Sequence, residues 1–288
     1  MGLEQRRRPA AHLHESRRRT VPLKIAQRLS HALPGARSTP DYLVVGEKRC
    51  GTTSLHRYLL QHPQVRTPLA SKSTHFFDLH FERGLDWYKS FFPPAIPPSR
   101  SPRSIVGETS PYYLFHPLAG QRIAQTIPGV KLIVLLREPG LRAWSHYQYE
   151  HAKQTEPLDF SAAIEAEPER LDGVEEQLIS NPEMISDEHR AFSYVSRSRY
   201  GRSIRRLQES NDPSTIHYVR SESLFEDPHG VLARLHEFLE LDAFETPNLK
   251  PGRQNIPASA PTREIDMVRE LIADDNASLE ELTGGVRW

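Results

Sequence analysis

One segment near the start of the chain limits what the rest can form. Tyr42-Leu43-Val44-Val45 is an apolar run that stops at Gly46, which is typical of a buried strand. A short loop runs from Gly46 to Gly51, and leucines at helical spacing predict a helix over Thr52–Gln61. A strand, a glycine-bounded loop and a helix in this order predict the first unit of an α/β domain.

Two later segments repeat the pattern of a strand followed by a helix. Lys131–Leu136 precedes a predicted helix over residues 140–153, and Ile216–Val219 precedes another near residues 229–239. Apolar strands that alternate with helices are typical of parallel sheets, which are covered on both faces. We therefore predict an α/β fold, a three-layer sandwich with a central, mainly parallel sheet and a P-loop-like phosphate-binding loop.

The predicted sheet brings two distant segments to one edge. In open parallel sheets, ligands bind beyond the carboxyl ends of the strands. The loop Gly46–Ser54 follows one strand, and Arg137 follows another. The topology alone therefore predicts that they lie close together.

The chain divides into a basic front and a large remainder. Residues 1–40 hold nine Lys and Arg against two acids, whereas the whole chain has 37 of each class. We predict that residues 1–40 are a basic, flexible N-terminal segment; the alternative is contact with nucleic acid or an anionic membrane. Residues 41–288 are predicted to form one domain. Within it, residues 165–190 are acidic and are predicted to be a solvated helix with a mobile connection.

Composition excludes several kinds of site. Cys50 is the single cysteine, which excludes an internal disulfide framework and a cysteine-based zinc cluster, and we predict no metal site. No apolar run approaches the roughly 20 residues that span a bilayer, and the N-terminus lacks the apolar core of a secretory signal. We therefore expect a cytoplasmic protein without a transmembrane segment, and nucleic acid is an unfavoured partner.

The loop after the first strand has the chemistry of an anion site. Gly46 and Gly51 have the spacing of a Walker A loop, but Thr52 stands where that motif has its lysine, and Lys48 and Arg49 lie earlier instead. A loop that leads into a helix presents free backbone N–H groups and the positive end of the helix dipole to a compact anion. The alternative is an ordinary helix cap with fortuitous glycines.

A second candidate phosphate site follows the strand Lys131–Leu136. Arg137 ends this strand, and Ser145 lies eight positions later in the predicted helix. A guanidinium fork and a hydroxyl can hold one phosphate together. The alternative is a surface arginine paired with Glu138.

Together these two units resemble those of the sulfotransferases that use 3′-phosphoadenosine 5′-phosphosulfate (PAPS), particularly heparan sulfate-type and bacterial carbohydrate sulfotransferases. The resemblance extends over residues 41–250 and includes the segments His75–Asp78, Gly107–Tyr113 and Ser221–Pro228. It implies that the loop holds the 5′-phosphosulfate and that Arg137 and Ser145 hold the 3′-phosphate. The implied donor-binding residues are Lys48, Arg49, Cys50, Gly51, Thr52, Thr53, Ser54, Arg137, Ser145, Tyr200, Gly252 and Arg253.

Three positions depart from the pattern of these relatives. Arg49 stands where many have a lysine on the leaving-group oxygen, so it is predicted to act as an electrostatic clamp. Thr109 replaces a second lysine, and Ser73 replaces the usual glutamate base. His75 is then the first candidate for the general base and Glu108 the second, since a histidine near neutrality suits that role. The alternatives are a structural histidine and a glutamate that only accepts hydrogen bonds.

The resemblance predicts an enzyme that transfers the sulfuryl group of PAPS to a hydroxyl of a carbohydrate, glycolipid or secondary-metabolite acceptor, without a metal. Two alternatives share the fold: a catalytically weak or inactive module that binds PAPS or its product, and, less favoured, a P-loop kinase. A nucleic-acid-binding protein is a third, and it rests on residues 1–40 alone.

Overall fold

A parallel sheet organises the part of the chain that the computed structural model describes, residues 37–69, 71–94, 104–250 and 260–288. Its strand order is β2-β3-β1-β4-β5, and every neighbouring pair is parallel. The strands are β1 (Tyr42–Gly46), β2 (Val65–Arg66), β3 (Ile105–Thr109), β4 (Lys131–Leu136) and β5 (Ile216–Arg220). The predicted α/β fold with a central parallel sheet is confirmed.

Helices connect the strands and extend beyond the last one. In chain order they are α1 (Thr52–Leu59), α2 (Phe76–Leu79), α3 (Gly84–Lys89), α4 (Ala119–Thr126), α5 (Pro139–Ala152), α6 (Phe160–Leu171), α7 (Val174–Ser180), α8 (Asp187–Ala191), α9 (Tyr200–Ser210), α10 (Ser221–Glu226), α11 (Pro228–Phe238), α12 (Thr262–Asn276) and α13 (Leu279–Thr283). The helices predicted after β1, β4 and β5 are present, with ends within two residues of those predicted.

Side chains of the sheet pack against helices on both faces. Successive residues of a strand point to opposite faces, so Leu43 and Val45 of β1 pack with α4 and α9, whereas Tyr42 and Val44 pack with α1 and α11. Each face therefore has its own apolar core, which gives the predicted three layers. A third apolar cluster joins α5, α6 and α12.

The central position of β1 determines where the site forms. β1 pairs with β3 on one side and with β4 on the other, and Val44 lies opposite Thr109 and Ile133. Because all three strands are parallel, their carboxyl ends meet at one edge of the sheet. The loop after β1 therefore lies between the end of β3 and Arg137, which follows β4.

The prediction for residues 165–190 was wrong, because these residues contribute to α6, α7 and α8 rather than to one solvated helix and a mobile connection. Glu167 explains part of the difference. Its carboxylate is buried and accepts the backbone N–H groups of Val195 and Ser196 at 2.6 and 2.7 Å. An acidic residue that the pattern places in solvent is thus the anchor of the following loop. Gly252, Arg253 and residues 1–36 lie outside the described residues.

Candidate active site

The loop Glu47–Gly51 presents the start of α1 at the edge of the sheet. Gly51 is the N-cap of α1 at φ +89°, and no side chain caps the first turn. Arg49 also has a positive φ, of 75°. The loop is tied to the sheet by the Glu47 N–H, which donates to the carbonyl of Leu135 at 2.6 Å. The uncapped N–H groups of the first turn, with the helix dipole behind them, suit an anion.

A buried ion pair stabilises this loop. The Glu47 carboxylate lies 2.9 Å from the guanidinium of Arg197, and both side chains are almost fully buried. Arg197 also lies against the rings of Tyr112 and Phe115. The negative charge of Glu47 is therefore neutralised locally, and the loop keeps its preference for anions. This pair could not be predicted from a local pattern, because the two residues are 150 positions apart.

The structure brings Arg49, Arg137 and Ser145 together, as the sequence predicted. Arg49 donates from Nε to Ser145 Oγ at 3.1 Å, and Arg137 donates from Nη1 to the carbonyl of Arg49 at 3.4 Å. Burial and the nearby charge of Arg137 both lower the pKa of Arg49, although it stays a cation. The two arginines thus place two positive charges at the same loop, which attracts an anion.

Arg137 is not neutralised by the residue that follows it. Glu138 caps α5 by accepting the N–H groups of Gly140 and Leu141, and it pairs with Arg269 at 2.9 Å. Tyr200 supports Arg137 from the other side, since its hydroxyl donates to the Arg137 carbonyl at 2.8 Å. The alternative of a surface pair between Arg137 and Glu138 therefore does not occur.

Tyr200 has a place that differs from the one predicted. Its side chain is fully buried in the core that includes α4 and α9, so its ring offers no surface to a ligand. Burial raises the pKa of its hydroxyl well above the usual value. Tyr200 is thus a support for the end of β4, and its predicted contact with the donor is corrected accordingly.

Lys48 lies beside the loop and contacts α5. Its ammonium is 2.6 Å from the Glu150 carboxylate and donates to the Arg190 carbonyl at 3.4 Å. Burial lowers the pKa of Lys48 to about 7, although Glu150 acts in the opposite direction. The ring of Tyr149 lies about equally close to Lys48, Arg49 and Lys153, at 5.2, 5.1 and 4.9 Å. Lys48 therefore lies at the edge of the site, where its contact with Glu150 of α5 holds it.

The remaining loop residues differ in what they can offer. Cys50 is fully buried, and burial raises the pKa of its thiol to about 12, so it contributes through its backbone alone. Thr52 and Ser54 are buried at the start of α1. Thr53 is exposed, and its hydroxyl accepts a hydrogen bond from Lys72 Nζ at 2.7 Å. Lys72 was not among the predicted site residues, and its contact with Thr53 is visible only in three dimensions.

His75 is oriented by a buried aspartate. Its Nδ1 lies 2.9 Å from the Asp78 carboxylate, and its side chain is 33% exposed whereas that of Asp78 is fully buried. Burial alone would lower the pKa of His75, but the charge and hydrogen bond of Asp78 outweigh it and raise the pKa. Nε2 is then the nitrogen available to another group. The spacing His75-x-x-Asp78 on a helix start was a signal that could have indicated this pair.

Glu108 is fully enclosed at the end of β3. Its carboxylate accepts hydrogen bonds from the hydroxyls of Tyr113 and Tyr88 at 2.6 and 3.3 Å and from the Thr74 N–H at 3.1 Å. Burial raises the pKa of Glu108 to about 7. The hydroxyl of Ser73 donates to the carbonyl of Thr109 at 2.5 Å. Ser73 and Glu108 thus join the segment of His75 to β3.

The described residues show neither a metal-binding cluster nor a membrane-spanning helix. Among the described residues, no group of three or more His, Cys, Asp or Glu side chains is placed to hold a metal ion. Within the same residues, none of the helices has both the length and the apolar character needed to traverse a bilayer.

Comparison with known proteins identifies the family. Residues 39–250 match the model of the sulfotransferase domain. Human heparan sulfate glucosamine 3-O-sulfotransferase 6 is 31% identical over 208 residues, which is 72% of this chain and 54% of the relative. A bifunctional heparan sulfate N-deacetylase/N-sulfotransferase 1 of Caenorhabditis briggsae is 27% identical over 216 residues, which is 72% of this chain and 23% of the relative. The chain thus spans about half or less of the length of these relatives.

A solved structure agrees with the sequence comparison. A sulfotransferase from Alicyclobacillus acidocaldarius superposes with a TM-score of 0.67 at 25% identity, over 87% of this chain and 98% of the other. The sulfotransferase domain of the Synechococcus PCC 7002 olefin synthase has the same fold, with a TM-score of 0.52 at 16% identity over 89% and 98% of the two chains. With an uncapped helix start beside paired arginines and a family match over most of its length, the chain belongs to the sulfotransferase domain family.

Proposed function

We propose that the protein transfers the sulfuryl group of PAPS to an acceptor hydroxyl. The observation that carries this proposal is the meeting of Arg49, Ser145 and Arg137 beside the uncapped start of α1. PAPS has two anionic groups, a 5′-phosphosulfate and a 3′-phosphate, and a nucleoside triphosphate lacks the second. A loop without the Walker lysine, with a second arginine and a serine beside it, matches the former ligand better.

Each anionic group of PAPS has its own set of residues in this proposal. The backbone N–H groups of Gly51–Thr53 and the guanidinium of Arg49 bind the 5′-phosphosulfate, and Arg137 with Ser145 binds the 3′-phosphate. Because the leaving group is a phosphate oxygen, its developing charge is met by Arg49 and the helix start. Positioning and neutralisation supply most of the rate, by analogy with phosphoryl transfer.

His75 is the general base that the geometry supports. Its imidazole is partly exposed and held by Asp78, so Nε2 is available to take the proton of an acceptor hydroxyl. Glu108 is fully buried, and both of its oxygens already accept hydrogen bonds. We assign Glu108 to holding the backbone of Thr74, and with it the segment that carries His75.

A glycan hydroxyl is the acceptor class that we favour. The support is the likeness to relatives whose names specify heparan sulfate, a polysaccharide. Glycolipids and hydroxylated secondary metabolites present the same nucleophile and are the other classes that a screen must include.

A second function, binding without transfer, is favoured by two substitutions. Ser73 and Thr109 stand where the family resemblance implies a glutamate and a lysine, and neither can replace those groups chemically. A module of this kind binds the desulfated product, adenosine 3′,5′-bisphosphate (PAP), but transfers nothing. Measurements of binding and of transfer therefore separate the two functions.

Calorimetric titration with PAP and with ATP tests the donor site. We expect PAP to bind and ATP to bind at least tenfold more weakly, because ATP cannot engage Arg137 and Ser145. The double variant Arg137→Ala, Ser145→Ala should lose at least tenfold in PAP affinity. Arg205→Ala is the matched control, since Arg205 is an arginine paired with Asp275 away from the loop.

Transfer is then measured as labelled sulfate incorporated into a panel of glycans, glycolipids and secondary metabolites. Incorporation into at least one hydroxyl acceptor is the expected result. PAP binding without any incorporation would favour the binding module instead. Tight ATP binding with magnesium-dependent turnover, or undiminished PAP binding by the double variant, would overturn the assignment of the site.

A further inference from the structure

Lys72 is held directly against the start of α1. Its Nζ donates to the hydroxyl of Thr53 at 2.7 Å, and Thr53 is the second residue of the helix. The side chain is partly exposed, so it lies at the open side of the loop. The charge also reaches His56, one turn further along α1: burial and, as a smaller contribution, the charge of Lys72 together lower the pKa of His56 to about 4. A cation is thus fixed where the loop would meet a sulfuryl group.

The backbone of Lys72 is fixed by β3. The Thr109 N–H donates to the carbonyl of Lys72 at 2.6 Å, and the hydroxyl of the next residue, Ser73, donates to the carbonyl of Thr109. The side chain of Lys72 therefore starts from a point beside Thr109, the position at which the family resemblance implies a second lysine. Thr109 itself is fully buried, and its hydroxyl lies 3.2 Å from His56 Nδ1.

The same segment connects the loop with the proposed base. His75 follows Lys72 by three residues, and the Thr74 N–H between them is held by Glu108 at 3.1 Å. One end of this short segment thus contacts α1, and the other end carries the imidazole. A group that lies between the donor loop and the proposed base lies where the sulfuryl group passes from the donor to the acceptor.

We propose that Lys72 is a further catalytic residue, which contacts the sulfuryl group during transfer. Its ammonium supplies the positive charge that Thr109 lacks, and it does so from the segment between β2 and α2. This inference rests on the proposed function. In the transfer, the bond between sulfur and the phosphate oxygen of PAPS breaks, and its electron pair stays on the phosphate of PAP. The acceptor oxygen forms the new bond to sulfur, and its proton passes to His75 Nε2. Lys72 exchanges no proton; its ammonium stabilises the negative oxygens throughout.

The test compares Lys72→Met, which keeps the length of the side chain and removes its charge, with wild type. PAP carries no sulfuryl group, so its dissociation constant should change less than threefold. Turnover with an acceptor found in the screen should fall on the order of 10²–10³-fold, as it does when one oxyanion donor is removed. Lys72→Arg keeps the charge and should retain at least ten times the turnover of Lys72→Met. Lys89→Met, a lysine of α3, is the control and should match wild type.

A second variant tests whether a lysine at position 109 can replace Lys72. Lys72→Met combined with Thr109→Lys places an ammonium on the neighbouring strand, and we expect it to recover at least tenfold of the lost turnover. Thr109 is buried, so the double variant can fail to fold. In that case the comparison of Lys72→Arg with Lys72→Met decides whether the charge of Lys72 is needed for turnover.

Different failures point to different proposals. If wild type binds no PAP, the proposed function itself is wrong. If wild type binds PAP and transfers sulfate while Lys72→Met turns over within threefold of wild type, only the role of Lys72 is wrong. An equal loss of PAP affinity in Lys72→Met and Lys72→Arg would likewise contradict the inference, since it would make Lys72 a support of the loop.

Discussion

At the scale of single residues, the pairing of His75 with Asp78 sets the chemistry of the proposed base. A carboxylate on Nδ1 fixes the tautomer and the direction of the ring, which leaves Nε2 as the acceptor. It also stabilises the imidazolium that forms when a proton arrives. The buried position of Asp78 keeps this effect from being screened by water. A histidine alone on a surface would have neither advantage.

The pH dependence of turnover tests this pair. A base must be neutral to accept a proton, so turnover should rise with pH through the pKa of His75, which Asp78 raises. In Asp78→Asn the carboxylate charge is lost, so the acidic limb of the profile should move to lower pH. His75→Ala should lose at least tenfold in turnover and up to 10⁴-fold, while PAP affinity barely changes.

Glu108→Gln is the matched comparison for the base. The amide keeps the size of the side chain, and an acidic limb that persists in this variant is expected if His75 is the base. A flat profile and inactivity in Glu108→Gln, together with an active His75→Ala, would reverse the two roles. Initial rates from pH 5 to 9 decide between these outcomes.

Some residues of the candidate site could be predicted from the sequence, and others could not. Arg137 and Ser145 follow strand and helix patterns, so their meeting with Arg49 was a consequence of topology. Lys72 was not predicted, because its approach to Thr53 depends on a side-chain contact across two segments. Tyr200 was misplaced, since an aromatic before a helix has the same pattern whether its ring is buried or exposed.

At the scale of elements, the turn from β1 into α1 depends on one glycine. Gly51 has a φ of +89°, where a side chain is strained, and a Cβ there would lie 3.1 Å from Phe225 Cζ. Phe225 belongs to α10, which follows β5, so the loop is enclosed by a second strand connection. The start of α1 therefore has little freedom to move.

Gly51→Ala should affect stability and donor binding together. The positive φ costs an alanine roughly 1–2 kcal/mol, and the contact with Phe225 forces the loop to shift. We expect a lower free energy of unfolding by denaturant and a loss of at least tenfold in PAP affinity by calorimetry.

Gly129→Ala separates these two effects. Gly129 has a φ of +75° and open space around its Cβ direction, so it carries the same backbone strain without the contact. It should lose similar stability and keep wild-type PAP affinity. Wild-type PAP affinity in Gly51→Ala as well would show that the start of α1 is not the anion site.

The elements of the sheet were predictable because their patterns are local. β4 begins and ends at the predicted residues, and α5 is shifted by one residue at each end. Residues 165–190 were mispredicted because their polar surface pattern hides one buried carboxylate, Glu167, that accepts two backbone N–H groups. Burial of a single charged residue with its partners leaves no periodic signal.

At the scale of the whole molecule, the domain extends beyond the family match. The match ends at residue 250, whereas α12 begins at Thr262 and buries Val268 and Ile272 in the cluster with α5 and α6. α12 lies so close to α5 that a Cβ at Gly140 would be 2.7 Å from Ile265 Cγ2. Since α5 carries Ser145, α12 supports the helix that holds the proposed 3′-phosphate site.

Ile272→Ala should therefore destabilise the fold by about 2–5 kcal/mol, the range for large-to-small changes in a core. Leu271→Ala, its neighbour with 47% exposure, should stay within about 0.5 kcal/mol of wild type. Denaturant unfolding of the two variants measures both values. Equal stability of the two would show that α12 is not part of the cooperative core.

β1 lies between β3 and β4, so the residues proposed for donor binding and those proposed for the acceptor side lie on different halves of the sheet. Groups proposed for the donor follow β1 and β4, whereas the proposed base and Lys72 are fastened to the end of β3. Under the proposed function, changes on the β2–β3 side alter which acceptor is used while donor binding is conserved. Such an arrangement lets new acceptor preferences arise by mutation of one half, and exchanging the segment between α1 and β3 among relatives is a direct route to hybrid enzymes.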